Sequence, residues 1–407
     1  MVGPDDPKIT EIVDWLLGSE ARQLPNAAEI LKALCPRLNA AGLPVARVSF
    51  HVRTLHPQLF GVGFHWYRGR DDIEVFYATH GMRDSEMYLT SPLHLVLDGG
   101  AKEIRQSLEL PDEAFDYQRY VEIKAEGMTE YLILPLAFSD GKTHASTWST
   151  DKQGGFTDEQ VLAIHRLLPI VGLLIEINLN RRISINLLNA YVGHQAGERI
   201  LAGQITRGSG DTIPAAIWFS DLRGFTALSE TRGRDELLGL LNQYFDCMAE
   251  PIAERGGEIL KFIGDAVLAI FPLTDESACC KALEAAIQAQ ASLGGLNDDR
   301  GKTGAPPLAA GIALHVGDVM YGNIGSANRL DFTVIGPAVN LASRIEGMCK
   351  SLDATILVSD DFKDRCPSET ALRSFGSHRL KGIEPKVEIF GPGPDADRGG
   401  SGVDRET

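Results

Sequence analysis

From Ile213 to Val316 the hydrophobic patterns follow an order that few folds accommodate: a strand, a helix, two strands, a second helix and a further strand. Ala215 to Phe219 is an apolar run suited to a central strand, and it ends at Ser220-Asp221. In the following DELLGLLNQYFDCMAEPIAER, Leu237, Leu241, Tyr244, Phe245, Met248 and Ile252 recur at helical spacing, and Gly256-Gly257 closes the helix. EILKFI and AVLAIF then flank Gly264-Asp265, with glycine first as a type II′ hairpin requires. A second helix is predicted from about Glu276 to Leu293, a loop over GLNDDRGKTGAPP, and a strand over LAAGIALHV.

That order is the ferredoxin-like split βαβ unit, an α+β arrangement, and it determines where two carboxylates fall. Its first and third strands are antiparallel neighbours, so Asp221, ending the first, lies beside Asp265, preceding the third. Each aspartate alone suits a turn or a cap. Together they repel unless a cation lies between them, and Mg²⁺ prefers hard oxygen ligands supplemented by substrate phosphates. Lys261 at strand spacing shares a face with Ile259 and Ile263. A charge so placed needs a partner, and a nucleotide base is one. Farther on, the strand LDFTVI leads to Gly336 and to Pro337, which suits a first helical position. The helix AVNLASRIEGMC puts Asn340 and Arg344 four apart on one face. The pattern fits an amphipathic helix with a solvated arginine, and equally an amide and a planar cation aimed at a sugar and a phosphoryl group.

The segments FSDLRGFTALSE, GGEILKFIGDAVLAIF and LDFTVIGPAVNLASRIEG, in this order and spacing, resemble the catalytic domain of class III adenylate cyclases, over about Asp211 to Gly391. The resemblance implies an enzyme that converts ATP to 3′,5′-cyclic AMP and pyrophosphate with two Mg²⁺ or Mn²⁺ ions per site. It implies that Asp221 and Asp265 bind metal and that Leu222 lends a backbone carbonyl to the second ion. It further implies that Lys261 reads adenine, Asn340 orients the ribose and Arg344 stabilises charge on the α-phosphoryl group. Arg329 and Lys381, in RLKG, resemble phosphate-contacting positions. In this family the site forms at a head-to-tail homodimer interface, the aspartates from one chain and Lys261, Thr333, Asn340 and Arg344 from the other.

Thr333 stands where many members carry an aspartate that accepts the adenine amino group; threonine accepts more weakly. This variant resembles the subgroup that includes bicarbonate-stimulated cyclases, which implies bicarbonate as a possible effector. Three alternatives stand beside the adenylate cyclase reading. A guanylate cyclase would ask for an acceptor at Lys261. A diguanylate cyclase would carry a hairpin with two glycines followed by acidic residues rather than FIGDAV. A catalytically weak regulatory module would lack a metal or transition-state residue.

At 407 residues the chain exceeds one ordinary core. We read residues 1–165 as a sensory domain, 166–210 as a helical linker resembling the transducer of that family, 211–391 as the catalytic domain and 392–407 as a disordered tail. In the first part, helices are expected from Ile9 to about Leu34 and strands from Val45 to Tyr88. MTEYLILPLAF and THASTWST flank the turn Ser139-Asp140-Gly141-Lys142, and a long helix starts where Thr157 and Gln160 stand at capping-box spacing. Strands closed by a hairpin and a long exit helix resemble an α/β GAF-like small-molecule sensor; a purely dimerising domain has the same outline. No residue there suggests a ligand. The helical RRISINLLNAYVGHQAGERILAGQ breaks at RGSGDT, a joint suited to a lever or a passive spacer.

The net charge of −16 argues against nucleic acid or an anionic membrane as partner. Acidic residues replace the positive charge of a signal peptide in MVGPDDPKITEIVDWLL, so a cytoplasmic protein is expected. LLPIVGLLIEI is shorter than the about 20 apolar residues of a membrane span and reads as a buried or dimer-forming helix. The six cysteines form no CxxC pair and read as buried free thiols.

Overall fold

A computed structural model describes residues 2–274, 276–367 and 370–393, so most of the expected tail lies outside the described residues. The chain forms two compact units, residues 1–187 and 188–407.

The first unit begins with α1 (Pro7–Leu17), α2 (Ser19–Arg22) and α3 (Ala27–Ala41), followed by β1 (Arg47–Arg53), β2 (Leu59–Tyr67) and β3 (Glu74–Thr79). Next come α4 (Glu86–Leu89), α5 (Pro92–Leu97), β4 (Ile104–Ser107), α6 (Gln118–Ala125), β5 (Glu130–Ala137), β6 (Thr143–Thr150) and α7 (Asp158–Val192). The antiparallel sheet runs β3-β2-β1-β6-β5-β4. Its main core joins Ile9 and Leu16, Leu31 and Leu38, Phe50 and Trp148 to Leu167 and Val171 of α7. A smaller cluster on Val96, Tyr120, Ile123 and Ile133 lies beneath α5 and α6.

The expected run of strands stops at Thr79, because Ser85 caps a short helix by accepting from the Tyr88 N–H. The capping box at the start of α7 is reciprocal: Thr157 N–H donates to Gln160 Oε1 at 3.0 Å and Gln160 N–H to Thr157 Oγ1 at 3.3 Å. Although LLPIVGLLIEI is short, it sits within a 35-residue helix that is long and apolar enough to cross a membrane by length and composition. Within its own unit that helix buries Ile164, Leu167, Val171 and Ile175.

The second unit takes the last turn of α7, then α8 (His194–Leu201), β7 (Gly210–Leu222), α9 (Phe225–Thr231), α10 (Arg234–Glu254), β8 (Glu258–Ile263), β9 (Ala266–Pro272) and α11 (Ala278–Lys302). It continues with β10 (Ala310–Gly325), β11 (Leu330–Ile335), α12 (Pro337–Glu346), β12 (Ile356–Ser359), α13 (Asp360–Lys363), β13 (Leu372–His378) and β14 (Val387–Pro392). The sheet runs β13-β14-β12-β10-β7-β9-β8, and β11 folds back on the far end of β10. The central pairings β10·β7, β7·β9 and β9·β8 are antiparallel. One face packs Trp218, Phe271 and Leu314 against Tyr244 and Met248 of α10 and Ala282 and Ala286 of α11. The other packs Ile217, Leu268 and Val319 against Ala196 of α8 and Ala338 and Ala342 of α12.

The helix α11 is longer than its pattern suggests, running through Gly294, Gly295 and Gly301. Glycine in a helix costs up to about 1 kcal/mol each relative to alanine. Tertiary bonds offset this: Asn297 exchanges two hydrogen bonds with the Leu308 backbone, at 2.8 and 2.7 Å, and Arg300 Nη2 donates to the Pro306 carbonyl at 3.0 Å. All six cysteines are free thiols, three of them buried.

Candidate active site

Side chains alternate along β7, so with Trp218 committed to the α10 and α11 face and Ile217 to the other, Asp221 shares the face of Ile217 and α12. Ser220 is in register with Val267, which brings Asp221 against the tip of the β8–β9 hairpin and Asp265. That turn has positive φ at Gly264 (66°) and not at Asp265, as a glycine-first turn demands.

The two carboxyl groups meet. Burial, then hydrogen bonding and like charge from Asp265, pushes Asp221 up to about 6 from its ordinary 3.8, and the bond from the Leu222 N–H at 3.1 Å opposes this. A third acid that the motifs do not point to stands near enough on α12 to feel their charge. Glu346 is pushed up to about 7, first by burial and then by the Asp221 charge, with Arg223 acting against it. Its carboxylate fills the space over Gly311, the register partner of Asp221. Among the described residues no cage of three or more His, Cys, Asp or Glu gathers. Two carboxyl groups brought together suit a hard divalent cation whose other ligands are water and substrate oxygens.

Lys261 departs from its expected face. The β8–β9 ladder slips between Ile259 and Lys261, so Leu260 is the extra residue of a β-bulge. Ile259 stays opposite Ala269, on the α10 side, whereas Lys261 lies opposite Leu268, on the other face. There its ammonium donates to Asp331 Oδ2 at 2.5 Å. Asp331 also escaped the sequence reading, although it stands two residues before Thr333 and so on the same side of β11. Lys261, Asp331, Thr333 and Arg329 line one cavity of about 790 Å³, the wall opposite being formed in part by residues 189–195 and Phe262.

Neither aspartate of the acidic pair lines that cavity. Asn340 and Arg344 are exposed on α12 and hold no partner among the described residues, and Lys381 is exposed in the turn between β13 and β14. One chain therefore brings together Asp221 with Asp265, and separately Lys261 with Thr333 and Arg329. It leaves Asn340, Arg344 and Lys381 facing outward.

Comparison with known proteins matches residues 210–390 to the family described as the adenylate and guanylate cyclase catalytic domain. An adenylate cyclase of Anabaena cylindrica is 41% identical over 190 residues, which cover 45% of this chain and 37% of that protein. The chain thus spans little more than a third of that relative. Among solved structures, the adenylyl cyclase CyaB from P. aeruginosa is 30% identical with a TM-score of 0.42, covering 45% of this chain and 94% of that one. The guanylyl cyclase Cya2 is 33% identical with a TM-score of 0.40, covering 44% and 92%.

Proposed function

We propose, from the premise that this chain belongs through residues 210–390 to the family of adenylate and guanylate cyclase catalytic domains, that it is an adenylate cyclase acting as a homodimer under the control of its N-terminal unit. The reaction forms a bond between the ribose 3′-oxygen and the α-phosphorus of ATP as the bond to the pyrophosphate oxygen breaks, and the hydroxyl proton is lost to solvent. The observation that carries this reading is the mutual approach of Asp221 and Asp265 at one sheet edge.

Those two carboxylates, with the Leu222 carbonyl, would hold the divalent ions, which supply charge stabilisation and make the 3′-hydroxyl more acidic. The chain's own groups position the nucleotide. Lys261 offers donors to the adenine ring nitrogen, and Thr333 offers an acceptor to the amino group. Asn340 orients the ribose, and the Arg344 guanidinium takes up charge developing on the α-phosphoryl oxygens. Arg329 and Lys381 would contact the outer phosphates. The separation of the Lys261 cavity from the aspartate pair, and the outward placement of Arg344, support a site shared between two chains. The βαββαβ order with strands β10-β7-β9-β8 adjacent supports the ferredoxin-like core that the shared site requires.

A guanylate cyclase is the second reading, and Asp331 favours it. Lys261 beside a carboxylate presents a donor for guanine O6 together with an acceptor for guanine N1 and N2 hydrogens, whereas adenine uses only one acceptor. Purified protein incubated with ATP or GTP and Mg²⁺ or Mn²⁺ decides between them. Cyclic AMP in excess is expected; cyclic GMP in excess moves the assignment to the second reading, and no cyclic product from a folded protein removes both. Bicarbonate activation, which Thr333 implies, is tested by cyclic AMP formation at fixed pH with bicarbonate against chloride; equal rates remove it.

A further inference from the structure

The first unit carries a polar sheet face that is shut off from solvent. Along β1, Val48, Phe50 and Val52 enter the main core, while Arg47, Ser49 and His51 point to the opposite face. The register adds Tyr67 and His65 from β2 and Ser149 and Thr147 from β6 to that second face. Such a face of an antiparallel sheet is commonly solvated. Here Arg47 is only 2% exposed, and Ser49, Thr147 and Ser149 are fully buried.

Four polar atoms on this face have no hydrogen-bond partner among the described residues: Arg47 Nε and Nη1, Thr147 Oγ1 and Ser149 Oγ. The remaining guanidinium nitrogen, Nη2, lies 3.3 Å from His65 Nδ1, which also meets Ser49 Oγ at 2.7 Å. A guanidinium only donates, so Nδ1 accepts and the imidazole proton sits on Nε2. Burial, followed by the charges of Arg47 and Arg119, pushes His65 down to about 4, so the ring is neutral and free to accept from the arginine. Glu126 comes within 3.7 Å of Arg47 Nε, near enough to attract but too far to accept a hydrogen bond. Each orphaned buried donor costs about 1–3 kcal/mol, more on a charged group, so a missing acceptor is implied.

Beside Arg47 opens a cavity of about 620 Å³, the size of a small-molecule site and far larger than a bare ion needs. Arg119, from the first turn of α6, lines it with Arg47, and Tyr67 forms an aromatic wall on which Arg70 stacks at 4.4 Å. We propose that this cavity binds a small organic anion, its phosphate or carboxylate group held by Arg47 and Arg119 and its body against Tyr67. Glu126, about a third exposed, stands in for the ligand at the flank of Arg47 and swings aside when it binds. The proposal is independent of the reaction performed by the second unit.

The test is thermal melting of the full chain in EDTA with inorganic phosphate, succinate or sodium chloride at matched pH and ionic strength. A saturable rise in melting temperature with phosphate or succinate, absent with chloride, is expected, and the stronger of the two identifies the anionic group. Arg47→Gln should abolish the rise, and Arg119→Gln should increase the half-saturating concentration by about tenfold, the loss of one charge-assisted contact. Glu126→Gln should lower it by removing a competing carboxylate, and Arg344→Ala should leave it unchanged. Identical responses to all three salts overturn the proposal, as does a rise that Arg344→Ala abolishes and Arg47→Gln does not. Should Arg47→Gln fail to fold, unchanged half-saturation in both Arg119→Gln and Glu126→Gln overturns it.

Discussion

The Lys261–Asp331 pair is short, yet its side chains are 44% and 43% exposed. An ion pair in that much water contributes up to about 1 kcal/mol to folding, so its consequence lies in aiming the ammonium into the cavity. Asp331→Ala is expected to move the melting temperature by a few degrees at most. The same change should raise the ratio of cyclic AMP to cyclic GMP formation about tenfold, because guanine loses the acceptor it needs and adenine retains Thr333. An unchanged product ratio would contradict a base-reading role. Asp221 and Glu346 carry the pH dependence of the acidic site. Both hold their protons to higher pH in the folded chain, about 6 and about 7, than their ordinary 3.8 and 4.5. In that window these two groups bind more protons in the folded chain than in the unfolded one, so their own contribution to metal-free stability should fall as pH rises from about 4 to 7, against the opposite contribution of His65 and His144, both pushed down to about 4. A divalent ion reverses the slope by favouring the charged forms, so the rise in melting temperature given by Mn²⁺ should be small at pH 5 and larger at pH 7.5. A Mn²⁺ effect independent of pH would contradict the assignment. The motifs point to Asp221 and Asp265 because strand order alone brings them together. Asp331 and Glu346 escape because each needs a particular face: Asp331 the side of β11 that carries Thr333, Glu346 the turn of α12 after buried Ala342.

Elements were legible where one periodicity held throughout. The helix α10, the glycine-first hairpin and the capping box of α7 all follow from local spacing. The bulge at Leu260 was not, because EILKFI alternates acceptably in either register and only the pairing with Leu268 reveals the extra residue. The joint between α7 and α8 lies at Gly193 rather than at RGSGDT alone, with φ 96° and ψ 158°, a region open essentially to glycine. Glu258, 5% exposed, docks the next helix onto the sheet by accepting from the Ala196 N–H at 3.1 Å and the Tyr321 hydroxyl at 2.8 Å. Gly193→Ala is expected to destabilise the second unit by about 1–3 kcal/mol, read by chemical denaturation. No change would show that the chain relaxes there without strain.

At the scale of the whole molecule the second unit was largely legible from its sequence, since the strand order between Ile213 and Val316 admits few alternatives. In the first unit the strands and exit helix were legible in outline, but the Arg47 site was not. VARVSFHV alternates as any half-solvated strand does, and only the fold shows that its polar side is sealed. The central proposition is that the acidic pair of one chain works with Arg344 of a second. Asp221→Ala and Arg344→Ala, each inactive alone, should regain activity when unfolded and refolded together in equal amounts. Random pairing makes half of the dimers mixed, each with one complete site, so about a quarter of wild-type cyclic AMP formation is expected. Mixed dimers that form, as read by differently tagged chains, and stay as inactive as either parent would contradict the shared site.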